Sequence, residues 1–131
     1  MHAEFTAADS NEVQSVVTKA VGECDALYIP TDNTIANNTE IVKNVAVPAG
    51  IPVVTGEEGM CSGCGLATLS ISYYDLGVKA AEMAYEILTN GADPAQMAIG
   101  YVTDGITEKY NADIAEALNT TIPEDMVAIE N

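Results

Sequence analysis

Arginine and tryptophan are absent from this chain, and phenylalanine and histidine occur once each. Without a guanidinium group, the chain offers no bidentate clamp for a phosphate or carboxylate. Any anionic part of a ligand must be held by backbone N–H groups, hydroxyls, another polypeptide, or one of the four lysines, Lys19, Lys43, Lys79 and Lys109. Cysteine is scarce too. Cys24, Cys61 and Cys64 are too few for a disulfide framework and odd in number, so they leave the redox compartment undecided. No apolar run approaches the roughly 20 residues that span a bilayer. No basic start leads into an apolar stretch, and no export signal is expected in this chain. Walker-type loops, dinucleotide fingerprints and nucleophile–base pairings are missing as well, so binding groups without catalytic machinery or a cofactor are expected.

What the chain has in abundance is acid. Twenty acidic side chains give a net charge of −16. That charge repels nucleic acid and anionic lipid, which makes both poor partners, and it favours solubility. The hydrophobic fraction of 48% and mean hydropathy of +0.13 indicate a folded globule, and 131 residues fit one domain.

Hydrophobic spacing gives an α/β reading. Residues 3–7 alternate and suit a short edge strand. Asp9 and Glu12 suggest a capping box before a helix through Val13, Val16, Val17, Ala20 and Val21, closed by Gly22. Ala26–Pro30 has strand character. Asn37 and Glu40 mark a second helix start, with an apolar face of Ile41, Val42, Val45 and Ala46. Residues 52–55 form a strand, 56–65 a glycine-rich loop, and 66–71 another strand. A third helix follows from Tyr73, with Gly77, Ala80, Ala81 and Ala84 forming a face for close packing on a sheet, and Asn90 and Gly91 ending it. Beyond it, 97–102 reads as a strand, Asn111 caps a helix over 112–118, and 120–131 looks like a mobile tail. Strands alternating with helices predict parallel β-α units in a three-layer α/β fold.

The stretch with most chemical promise is Asp25–Thr34. A buried parallel strand running into Thr31, Asp32, Asn33 and Thr34 ends where ligands sit in open α/β sheets. Two readings stand: a helix cap, or a ligand shelf with Asp32 as counter-ion for an ammonium group and Thr31 and Asn33 adding neutral hydrogen bonds. Glu57 and Glu58 occupy the equivalent place after the next strand, as cleft acids or as exposed loop charges. Cys61 and Cys64 permit a redox module, a local disulfide or two free thiols; a zinc site would also need Cys24 and His2. No metal is expected. Tyr73 and Tyr74 precede Asp75, a favourable charge for a helix N-terminus, and a ring there can flank a ligand.

Asp25–Thr34, Ile51–Val54, Gly65–Gly77 and the Ile87–Gly91 segment follow in an order that resembles the substrate-binding proteins of ABC transporters for tryptophan, tyrosine and related amino acids. The resemblance implies a type I periplasmic-binding-protein fold, with two lobes clamping an aromatic or branched amino acid. Only the C-terminal lobe is resembled: residues 1–97 as a partial flavodoxin-like lobe lacking its first β-α unit, and 98–131 as a hinge-return segment with a C-terminal helix and tail. Thr31, Asp32 and Asn33 then fall in the cleft, with Glu57, Glu58 and the Ser72–Tyr74 turn, including Tyr73, beside them. A permease partner and an extracytoplasmic, lipid-anchored parent protein are implied. The missing strand would leave a gap between the strands at 3–7 and 26–30, which predicts that the fragment closes it by rearranging or by forming a homodimer, swapped strands being one route. The alternative is a flavodoxin-like redox module using Cys61 and Cys64.

Overall fold

The computed structural model describes residues 3–130. It forms two compact units: one runs to Ser70 and resumes at Thr107, the other spans Ile71–Ile106.

The first unit is a mixed α/β structure. In chain order it contains α1 (Val13–Glu23), β1 (Leu27–Ile29), α2 (Asn33–Ala36), α3 (Thr39–Ala46), β2 (Val53–Thr55), α4 (Glu58–Cys64) and β3 (Ala67–Ser70). After the second unit, whose one long helix is α5 (Tyr73–Asn90), come β4 (Thr107–Tyr110), α6 (Ala112–Ala117) and β5 (Val127–Ala128). The five strands pair in the order β1-β2-β3-β4-β5. The first three are parallel, β4 is antiparallel to β3, and β5 is parallel to β4. This is the mostly parallel sheet that alternating strands and helices predict.

Alternation along the strands decides what is buried. Leu27, Ile29, Val53, Thr55, Thr68 and Ser70 share one face by register, and that face meets the helices. There Val53 packs with Val13 and Val17 of α1, Val42 and Ala46 of α3, and Cys64 of α4. A second cluster, Leu66 with Ile114 and Ala115, anchors α6. On the opposite face Tyr28 and Leu69 stay 68% and 58% exposed, while Ala67 and Tyr110 pack against the α6 cluster.

Several expectations are corrected. Residues 3–7 form no strand: Phe5 lies under the Lys19 ammonium at 5.7 Å and Ala7 packs on the core, so this segment is held by contacts with helix-side residues rather than by strand pairing. The predicted gap inside the sheet therefore does not arise, and β1 is simply the edge strand. The glycine-rich loop is helix α4. Residues 97–102 are not a strand but follow a turn in which Gln96 N–H donates to the Asp93 carbonyl at 2.9 Å. The tail is fastened: Val127 and Ala128 pair with Lys109 and Tyr110, and Ile129 is buried. His2 lies outside the described residues.

In the second unit, Ser72 caps α5 by accepting the Asp75 N–H, and Gly91 ends it at φ +70°, a backbone conformation that costs glycine little. The helix is as long as the sequence implies, but its small-residue face is not packed: none of its eighteen residues is buried.

Candidate functional site

Because β1 and β2 are parallel neighbours, the residues that follow them lie on one edge of the sheet. That places Thr31, Asp32 and Asn33 beside Gly56, Glu57 and Glu58 within the first unit. The approach is close: a Cβ on Gly56 would lie 2.7 Å from the Thr31 amide nitrogen and 2.8 Å from its Oγ1. Gly56 N–H also donates to the Ile29 carbonyl at 2.9 Å, extending the β1–β2 ladder to the edge.

Asp32 settles one alternative. A helix, α2, begins directly after it, and its Oδ1 accepts the Ile35 N–H at 2.9 Å. The helix expected to start at Asn37 is α3, capped at Asn38; α2 is a separate short helix ahead of it, and Asp32 is its N-cap. Capping engages one oxygen of a side chain that is otherwise exposed, as are Thr31 and Asn33. Glu57 does the same for α4, accepting the N–H groups of Gly59 at 2.8 Å and Met60 at 2.5 Å. Both acids are held by the backbone they cap.

Glu58 is fixed differently. The Lys109 ammonium donates to both its oxygens at 2.8 Å, and the Ser70 hydroxyl donates to one at 2.9 Å. The Lys109 and Ser70 hydrogen bonds hold the Glu58 carboxyl below the usual carboxylate range, against a smaller opposing effect of burial. A depressed carboxyl contributes stability above its unfolded pKa, lost as pH falls through the folded value. Two residues further along, Asn111 donates to the carbonyls of Cys61 at 3.1 Å and Ser62 at 2.9 Å, and its Oδ1 accepts the Ile114 N–H. β4 therefore fastens both ends of α4. Composition hid Ser70, Lys109 and Asn111 in these roles. The available signal was the Thr-Glu-Lys-Tyr alternation at 107–110, which puts a lysine on the same face as Thr68.

Tyr73 belongs to the second unit, as the first residue of α5, and is 60% exposed. Cys61 and Cys64 are free, buried thiols inside α4. Burial pushes them up to about 11 and about 12, the reverse of an activated thiol, which removes the basis for a redox module. No metal-holding cluster of His, Cys, Asp and Glu occurs among the described residues, and no described helix is long and apolar enough to cross a membrane.

The model of the ABC transporter substrate binding protein family matches residues 2–130. The chain belongs to this family. Among related substrate-binding proteins, a tyrosine-binding protein of Clostridioides difficile strain R20291 is 44% identical over 79 residues, which is 60% of this chain and 23% of that one. Three solved structures share the fold. A substrate-binding protein with adhesive properties from Clostridium difficile, ligand-free and open, superposes with a TM-score of 0.70 at 36% identity, over 95% of this chain and 42% of that one. An ABC domain from Streptococcus pneumonia in complex with L-Trp gives 0.77 at 32%, over 92% and 40%. A conserved domain protein from Vibrio cholerae gives 0.78 at 30%, over 94% and 42%. The chain thus spans less than half the length of these relatives.

Proposed function

We propose that this chain supplies part of the C-terminal lobe of an amino-acid-binding protein and one wall of its interlobe cleft. In this reading residues 1–97 belong to the lobe and 98–131 return across the hinge. Thr31, Asp32, Asn33, Glu57 and Glu58 are assigned to the wall. The observation that carries the reading is the meeting of two polar strand ends, 31–33 and 56–58, at one sheet edge in a chain of this family.

The chemistry is recognition by closure, without bond making. A cap carboxylate such as Asp32 is rigid and exposed, so it can receive a ligand ammonium without paying to be ordered. The ligand carboxylate has no arginine to meet here and falls to backbone N–H groups or to the opposite lobe. Relatives described as tyrosine-binding or solved with L-Trp favour an aromatic ligand. The parent protein is extracytoplasmic and lipid-anchored, and delivers its ligand to a permease.

Titration of the isotope-labelled chain with L-tryptophan, L-tyrosine and L-glutamate, followed by amide chemical shifts, tests the site. Half a clamp should bind the aromatic amino acids with a Kd of about 1 mM, or about −4 kcal/mol. Shifts confined to 31–33 and 56–58 support the assignment. Shifts elsewhere, or equal shifts with glutamate, overturn it.

A further inference from the structure

The polar edge that follows β1 and β2 carries three acids, and they are not held alike. Asp32 and Glu57 are tied by the backbone N–H groups they cap. Glu58 meets a cation. The Lys109 ammonium lies 2.8 Å from both its oxygens, and the Ser70 hydroxyl donates to one of them at 2.9 Å. The other lysines are engaged elsewhere: Lys19 lies over the Phe5 ring, Lys43 stands in the last turn of α3, and Lys79 pairs with Glu82 in the second unit.

Glu58 sits two residues past Gly56, whose backbone abuts Thr31, so its charge falls on the same strip as Asp32. The side chains of Lys109 and Glu58 are 26% and 39% exposed, and the net charge of the pair is therefore felt at the edge. In a chain of net charge −16, three uncompensated carboxylates in one place attract an amine and repel a second carboxylate. With Lys109 in place the third charge is cancelled. A group of mixed charge can then approach, and the head of an α-amino acid is such a group.

We propose that Lys109 is a specificity-determining residue of this wall: by pairing with Glu58 it admits the carboxylate of a zwitterionic amino acid and favours that ligand over the corresponding amine. Lys109 acts through Glu58, without touching the ligand. The ligand carboxylate still finds its hydrogen bonds on backbone N–H groups or on the opposite lobe, but against one repelling charge fewer. The inference rests on the ligand reading above, and adds to it a residue from β4, a strand remote in sequence from both polar turns.

L-Tryptophan and tryptamine share the indole and the ammonium and differ in the carboxylate. The ratio of their affinities, read from amide shifts at 31–33 and 56–58 of the whole chain, therefore isolates how the wall treats that group. Lys109→Met should lower the tryptophan-to-tryptamine ratio about tenfold, the size of one added charge–charge repulsion near a protein surface. Lys109→Arg should keep it. Glu58→Gln, which leaves the ammonium uncompensated, should raise it. The double variant Lys109→Met with Glu58→Gln should return the ratio to its starting value, whatever happens to either affinity. Equal weakening of both ligands in Lys109→Met overturns the inference and leaves the pair a clip between α4 and β4. So does a double variant whose ratio stays low, because Lys109 would then act on the carboxylate directly. Circular dichroism of each variant checks folding, and if Lys109→Met does not fold, the sign of the change in Glu58→Gln decides. Silence of the unsubstituted chain towards both ligands overturns the ligand reading itself, a result distinct from binding with an unmoved ratio.

Discussion

Helices α3 and α5 have similar apolar periodicity and opposite fates. Val42 and Ala46 of α3 are fully buried in the first unit, whereas α5 in the second unit buries nothing, despite having more than twice the length. All thirteen buried apolar side chains among the described residues lie in the first unit. Periodicity states which side chains share a face. It does not state whether that face has found a partner, and burial rather than pattern supplies the free energy.

Large-to-small substitution should break the comparison most visibly. Met60, 1% exposed, is expected to cost about 2–5 kcal/mol as Met60→Ala, while the 84%-exposed Leu88 should cost within about 0.5 kcal/mol as Leu88→Ala in dilute solution. Urea denaturation at low concentration measures both. Comparable losses would mean that α5 is packed in solution.

Asn111→Ala sharpens the picture of how the first unit is closed. It removes the side-chain bonds to the Cys61 and Ser62 carbonyls of α4 and uncaps the Ile114 N–H of α6, at an expected cost of about 1–3 kcal/mol. Amide exchange should accelerate at the C-terminal end of α4 and the start of α6, and remain unchanged across α5.

Thiol chemistry has the smallest expected effect at neutral pH. Cys24, partly exposed, should react with an aromatic disulfide reagent in the native state, and Cys61 and Cys64 only on unfolding. Because their folded pKa values are raised to about 11 and about 12, their contribution to stability is complete below the ordinary thiol pKa and lost as pH rises through those values. Denaturation midpoints from pH 8 to 11 should fall with pH, and less so in Cys61→Ser with Cys64→Ser. Three equally fast thiols would show the core of this unit to be open.

Strands β1, β2 and β3 were legible because Leu27–Ile29, Val53–Thr55 and Ala67–Ser70 combine β-branched or apolar residues with clear boundaries. Helix α4 was not, since Gly59, Gly63 and Gly65 read as loop punctuation. The structure gives another reason for Gly63: a Cβ there would run into the Thr39 side chain, so this glycine buys close approach of α4 to α3. The polar stretch after β1 does end at the sheet edge, and of its two readings the structure shows the cap at Asp32, although the short helix α2 that it caps was not legible. β4 and β5 are short and partly polar, and their pairing is stabilised by long-range partners such as Glu58 and Tyr110, which local sequence cannot display.

The contact between Gly56 and Thr31 constrains how this family member can diversify. Any side chain at position 56 would drive the two strand ends apart, so that position is closed to substitution, whereas the exposed Thr31 and Asn33 beside it carry no capping bond and are freer to vary than the caps Asp32 and Glu57 or the ion-paired Glu58. A mutational scan should therefore show position 56 least tolerant, the capping and ion-paired acids 32, 57 and 58 intermediate, and positions 31 and 33 most permissive. Divergent evolution would retune what the edge touches without moving the edge itself.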